Sequence, residues 1–214
     1  SAASDVYKRQ TYHSQVVYHL SGHTNASGVL SDVLDGGAQK YDAKLNVTTP
    51  SSVDFSVTHQ LTDALTLYVG STYTRWSQLK KITVNNAGVS DITAELAGLG
   101  SITEEQHWHD TWSHAIGLSY QLNKQLVLRT GFSVDQTPTN NTDRSVRIPT
   151  GDRTVFSLGA GWTPVDNLTF DVAYSYLKEE PIKVRDNNPQ LALTYDAKYE
   201  NSANGFGGSV TYRF

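Results

Sequence analysis

Apolar and polar side chains alternate with a period of two over much of this chain, the pattern of strands that have one apolar and one polar face. The last segment shows it plainly: Phe206, Gly208, Val210, Tyr212 and Phe214 share one face, and Ser209, Thr211 and Arg213 the other. Upstream, Leu168, Phe170, Val172, Tyr174 and Tyr176 oppose Thr169, Asp171, Ala173 and Ser175, and Phe156, Leu158, Ala160 and Trp162 oppose Ser157, Gly159 and Gly161. The same reading predicts strands around Leu126–Val134, His114–Leu122 and Leu65–Tyr73, and a first strand carrying Tyr12, Val16, Tyr18 and Leu20. Odd positions from Tyr41 to Val57 never lose parity across Pro50, which predicts one long strand over 41–61 with the proline where no ladder donor is needed.

The connections fall into two classes. Leu61–Ala64, Asn123–Gln125 and Pro164–Asn167 are tight polar turns, whereas 22–40, 80–109, 136–152 and 183–198 are long loops. Short and long connections alternate, as in outer-membrane barrels. A soluble β-sandwich also alternates, but its strands average about five or six residues. The strands here are longer, and their polar faces are mostly Ser, Thr and Gly. The expected fold is therefore all-β: an antiparallel transmembrane β-barrel, of which this chain supplies a C-terminal part of about eight strands, an incompletely closed sheet as it stands.

Composition fits this fold once the period is known. A hydrophobic fraction of 38% and a mean hydropathy of −0.42 would suit a polar soluble protein. No segment approaches the roughly 18 apolar residues of a membrane helix, but a barrel strand gives only every second side chain to lipid. The 12 tyrosines suit membrane–water boundaries. With no cysteine there is no disulfide framework or thiolate metal site. A net charge of −4 argues against nucleic acid as a partner. The opening SAASDVYKRQ shows no alternation and no apolar leader core. It reads as an adapter-derived, non-native segment, leaving 11–214 as the portion of one barrel domain.

Three blocks add a family resemblance: LTLYVGSTYTRWSQLKKI (65–82), HDTWSHAIGLSYQLNKQLVLRTGFSVDQTP (109–138) and RSVRIPTGDRTVFSLGAGW (144–162). Within them Trp76-Ser77-Gln78, Arg129-Thr130-Gly131, and Arg147-Ile148-Pro149 followed by Asp152-Arg153 resemble the FadL/TodX-type long-chain fatty acid transporters most closely. The resemblance implies a monomeric fourteen-stranded barrel in a Gram-negative outer membrane, plugged by an N-terminal hatch that this sequence lacks. It implies passive uptake of long-chain fatty acids or other hydrophobic compounds, without catalysis or cofactor. It also implies a basic residue facing the ligand carboxylate where His109 stands, a role an imidazole fills only when protonated.

Trp76, His109 and Arg129 are accordingly the candidate ligand or lumen residues. Arg129 and Asp171 lie on the polar face, as do Lys44 and Asp54, and interior charges call for ion partners. Arg147, Asp152 and Arg153 sit where the 136–152 loop re-enters the wall, a place for an ion-pair clasp. Val210, Tyr212 and Phe214 resemble the terminal signal read by the barrel assembly machinery. His107, His109, Asp110 and His114 form the one metal-like group, with 107 and 109 on one strand face, but no ligand set is fixed by spacing. Ser113 and His114, being adjacent, point to opposite faces and cannot pair as nucleophile and base. Alternatives are a general porin or a structural or adhesion barrel, with an outer-membrane lipase or protease further off.

Overall fold

The structure, a computed structural model, describes residues 5–141, 144, 146–188 and 193–214, with 30, 186–188, 193 and 194 described by backbone alone. The first four residues of the expected leader and parts of the loops at 136–152 and 183–198 lie outside the described residues. In chain order the elements are β1 (Val6–His13), β2 (Val16–Ala26), α1 (Val29–Leu34), β3 (Gln39–Thr49), β4 (Ser52–Gln60) and β5 (Leu65–Thr74). After a 3-10 turn at Trp76–Gln78 follow β6 (Lys81–Ala87), α2 (Asp91–Ala97), β7 (Ser101–Glu105), β8 (Thr111–Gln121) and β9 (Leu126–Asp135). The chain ends with β10 (Arg153–Val165), β11 (Leu168–Glu179), β12 (Ile182–Asn188), β13 (Leu193–Tyr199) and β14 (Ser202–Tyr212). Two compact units result: residues 1–13, 52–74 and 110–214, and residues 14–51 and 75–109.

The first unit is built on an antiparallel sheet of eight strands in the order β1-β4-β5-β8-β9-β10-β11-β14, with β1 and β14 at its edges. Two of its three tight turns are self-capped. The Thr62 hydroxyl accepts from the Ala64 and Leu65 amides, and the Asn123 carboxamide oxygen accepts from the Gln125 and Leu126 amides at 2.9 and 3.0 Å. The third turn is tighter than its sequence suggests. Strand β10 runs through Pro164 to Val165, because the register shifts between Trp162 and Val165 and a bulge accommodates the proline. Tyr212 pairs with Leu168, so the C-terminus lies at the tight-turn end of the sheet.

The apolar face of this sheet has no core to cover it. Trp162 is 50% exposed, Val172 62% and Phe206 83%, and the buried hydrophobic side chains among the described residues are only Ala26, Tyr41, Leu79 and Val184. A water-soluble protein does not leave so large a contiguous apolar surface open. Lipid is the solvent that satisfies it. From Trp112 to Leu122, about ten residues at ~3.3 Å each with a tilt of ~40° span ~25 Å of membrane normal, the height of an outer-membrane apolar band. Aromatic pairs stand towards both ends of that band: Tyr73 with Trp112 at 5.0 Å and Trp162 with Phe170 at 5.7 Å.

Two expectations from the sequence are corrected. Residues 41–61 are two strands in different sheets, β3 pairing with β2 and β4 with β1. Pro50 has no amide to donate, the Ser51 amide turns to the Gln78 side chain (3.1 Å), and the Ser51 carbonyl accepts from the Arg75 amide. Parity survives because the break skips two residues, an even number, and the partner chain breaks by the same count: His13 faces Ser52 and Val16 faces Thr49. The first expected strand is divided likewise into β1 and β2, and β1 begins at Val6, inside the segment that carries no alternation.

The second unit holds most of two of the long loops. Strands β2-β3-β6-β7 form a four-stranded sheet. Helix α2 starts on Ser90, whose hydroxyl accepts from the Thr93 amide at 3.2 Å, and stops at Gly98 with φ +63°. Strands β12 and β13 make a separate hairpin between β11 and β14.

Candidate functional site

The polar face of the wall is a track of small residues crossed by charged ones. Alternation places Gly117, Gly131, Gly159 and Gly161 on it, and register sets Gly117 opposite Gly131. Arg129 lies opposite Gly159 and Asp171 opposite Gly161. The Arg129 guanidinium therefore passes over β10, and its Nη1 donates to Asp171 Oδ1 at 2.9 Å. A hollow of about 410 Å³ adjoins the pair, lined in part by Ser157, Gly159, Ala173 and Gly207. Arg129 has five N–H donors, so its bond to Asp171 leaves others for a second partner.

Two further groups occupy the same face. Asp54 accepts from the Thr72 hydroxyl at 2.7 Å and lies 3.2 Å from His13 Nε2. Arg153 donates from Nε to Glu179 Oε1 at 2.9 Å and approaches Asp135 at 3.8 Å. Glu179, only 7% exposed, also accepts from Asn201 Nδ2 at 2.6 Å.

Of the loop-base residues, Arg153 belongs to this last group and Asp152 adjoins it. Arg153 begins β10 and is bound by Asp135 and Glu179, while Asp152 accepts from the Thr137 amide at 2.8 Å and its carbonyl accepts from the Glu180 amide. Arg147 lies in the turn before them. Arg144, 7% exposed, donates to Thr139 Oγ1 and Asn141 Oδ1. Its burial lowers the guanidinium pKa from the ordinary range, and nearby Asp152 pulls it back up.

The second unit holds Trp76, His109 and Lys44. Trp76 packs edge-to-face on Trp108 with centroids 5.1 Å apart. His109 is exposed, and residues 106–110 lie between β7 and β8 outside any strand. His107 and His109 therefore do not share a strand face; His107 takes φ +44° and faces Glu105 at 3.5 Å. Lys44 sits on β3, opposite Ser21 and Asn85. Val210 and Tyr212 end the outward face of β14, and Phe214 follows them, fully exposed.

The loop helices invert the usual pattern. Thr93 is 1% exposed and Ser31 is buried, while Val29, Val33, Ile92 and Leu96 are 62–78% exposed. A single carboxylate organises the polar side: Asp35 Oδ1 accepts from Thr93 Oγ1 at 2.7 Å and Oδ2 from the Tyr41 hydroxyl at 3.0 Å. The sequence did not point to Asp35 or to Glu179, and it set Asp54 on the polar face without naming its partners His13 and Thr72. Parity could have placed His13, Asp54 and Thr72 on one face, but only register brings them together.

A strongly apolar outer face, a small-residue inner face and one-sided long loops define an outer-membrane β-barrel wall. The family model for the outer membrane protein transport proteins (OMPP1/FadL/TodX) matches residues 9–214, and the chain belongs to that family. Outer membrane protein P1 of Haemophilus influenzae is 32% identical over 210 residues, which cover 95% of this chain and 43% of that protein. The long-chain fatty acid transport protein of Escherichia coli K12 is 22% identical, with 95% and 44% covered. Among solved structures, a Pseudomonas aeruginosa FadL homologue superposes with a TM-score of 0.79 at 26% identity, covering 97% of this chain and 49% of that one. The P. putida toluene transporter TodX shares the fold, with a TM-score of 0.61 at 14% identity over 100% of this chain and 47% of that one. This chain thus spans about half the length of these relatives, and its place is the outer membrane.

Proposed function

We propose that the chain is the C-terminal wall of a channel for passive uptake of long-chain fatty acids or other hydrophobic compounds. The observation that carries this reading is the pairing of an uncovered apolar outer face with an inner face of Gly, Ser and Thr, on which the Arg129–Asp171 pair is the charged feature nearest the 410 Å³ hollow. Apolar side chains on α1 and α2 suit capture of an apolar molecule from outside, and the Trp76–Trp108 pair adds rigid aromatic surface. Arg129, and His109 when protonated, are the groups for a carboxylate head. Transfer is binding and diffusion, with no bond made or broken.

The same reading gives Arg147, Asp152 and Arg153 the task of holding the 136–152 loop to the wall, and gives Val210, Tyr212 and Phe214 that of presenting the strand end to the assembly machinery. The full-length protein would act as a monomer. Uptake of labelled oleate and labelled toluene by cells lacking their own transporter decides the function. Oleate uptake above the empty-vector level supports a fatty acid channel, and uptake of toluene alone narrows it to hydrocarbons. Uptake of neither sinks the transport reading in favour of a structural barrel.

A further inference from the structure

The apolar face of the wall reads as rows across neighbouring strands. Val57, Val69, Ile116 and Phe132 form one wholly apolar row. The next row towards the long-loop end is Phe55, Ser71, His114 and Val134, and the one beyond it includes Val53, Tyr73 and Trp112. A polar pair thus interrupts the apolar band one row inside its outer aromatic rim.

The pair is organised. Ser71 Oγ and His114 Nδ1 are 2.9 Å apart in an exposed position. The His114 ring lies stacked with Trp112, centroids 5.7 Å apart and planes 10° from parallel. Tyr73 packs against the other ring of the group and donates its hydroxyl to Asp110 at 2.6 Å. Two other polar groups on this face differ: Thr130 gives its hydroxyl to the Ser157 carbonyl, and His59 Nε2 is shut away from solvent.

The hydrogen bond decides what the imidazole offers outward. If the serine donates to Nδ1, the neutral ring carries its proton on Nε2; if the ring is protonated, both nitrogens donate. In both of these states an N–H donor is presented to the bilayer; only the neutral ring that donates from Nδ1 to Ser71 would present an acceptor instead. Two residues at ~3.3 Å and a ~40° tilt put the ring ~5 Å inside Trp112, at the boundary of headgroups and acyl chains.

We propose that Ser71, His114 and Trp112 form a docking site for a phosphorylated, multiply acylated lipid of the outer leaflet. The phosphate takes the His114 N–H, with full charge complementarity when the ring is protonated. The acyl chains lie down the Val57–Val69–Ile116–Phe132 row. The site is independent of transport, since it faces away from the lumen.

The test uses the intact outer-membrane protein purified in mild detergent, with native mass spectrometry after exposure to lipid A and to dephosphorylated lipid A. Retention of the phosphorylated form over the other is expected. H114F should lower it about tenfold, the loss of one charge-assisted hydrogen bond. H114K should restore it, with thermal stability and oleate uptake unchanged throughout. Equal retention by wild type and H114F, or retention indifferent to phosphate, overturns the proposal. Labelling of Ser71 by a fluorophosphonate with release of fatty acid also overturns it, because the pair would then be a nucleophile and its base.

Discussion

Arg129 and Asp171 sit on strands that do not touch, and their side chains meet over the bare backbone of Gly161 at 2.9 Å. A Cβ at 161 would lie 2.7 Å from Asp171 Oδ1, 2.9 Å from Val127 Cγ1 and 3.3 Å from Arg129 Nη1. The ion pair and the glycine are therefore one device.

Substituting Gly161 should separate the pair. Overpacking of this kind costs about 1–3 kcal/mol, whereas the half-exposed ion pair itself is worth only ~0.2–1 kcal/mol. G161V is thus expected to destabilise the folded barrel more than D171N does. Urea titration followed by heat-modifiable mobility on gels measures both, and the opposite order would refute the claim. D171N frees Arg129 for a carboxylate and should tighten oleate binding in the same preparation.

Asp35, at the end of α1, ties that helix to α2 through Thr93 and to β3 through Tyr41. Replacing it with alanine leaves the buried Thr93 hydroxyl without its acceptor, a loss of about 1–3 kcal/mol. Faster amide exchange is expected across α2 in D35A, with the wall strands unaffected. Uniform protection would mean that the carboxylate holds nothing.

Glu179 gathers Arg153 and Asn201 in a nearly closed site. Removing the carboxylate leaves the guanidinium with the more distant Asp135. E179A should therefore admit proteolytic cleavage between 136 and 152 sooner than wild type, while R153K, which keeps charge but loses the planar fork, should fall between. Equal cleavage rates would remove the clasp from the account.

Glu200 is held below its ordinary pKa by its hydrogen bond to Lys198, with the Lys198 charge acting in the same direction. A depressed carboxylate contributes above its unfolded pKa and loses that contribution as pH falls through the folded one. The tie at the base of the β12–β13 hairpin should accordingly persist at neutral pH and fail only in acid, below 4.5. Carboxyl chemical shifts against pH report it, and K198Q should return Glu200 to the ordinary range.

Deleting Phe214 tests the strand end. If Val210, Tyr212 and Phe214 are the assembly signal, the truncated full-length protein should accumulate in the periplasm with little in the outer membrane. Normal outer-membrane levels would assign these residues to packing alone.

Period two made the wall strands legible, because a lipid-facing strand must alternate whatever its partners are. Two of the tight turns were legible for a local reason: Thr62 and Asn123 close them with their own side chains. What parity could not reveal was the division at Pro50. Alternation is unchanged when a chain skips an even number of residues, here two on each side, so only the fate of the Ser51 amide distinguishes one strand from two. Arg129 and Asp171 were placed on the right face, yet the crossing over Gly161 depends on a register that no single strand encodes. The helices inside the loops were missed because their apolar residues face outward and their polar ones inward.

The matched skip has a consequence for how such proteins can diversify. Val16 to Thr49 is a complete paired hairpin with its own tip, and the ladder between β1 and β4 does not depend on its length. It is a cassette: any insert whose two arms keep equal counts can replace it without flipping a single wall side chain between lipid and lumen. A surface exposed to the outside world can thus be rewritten while the membrane-spanning part stays in frame.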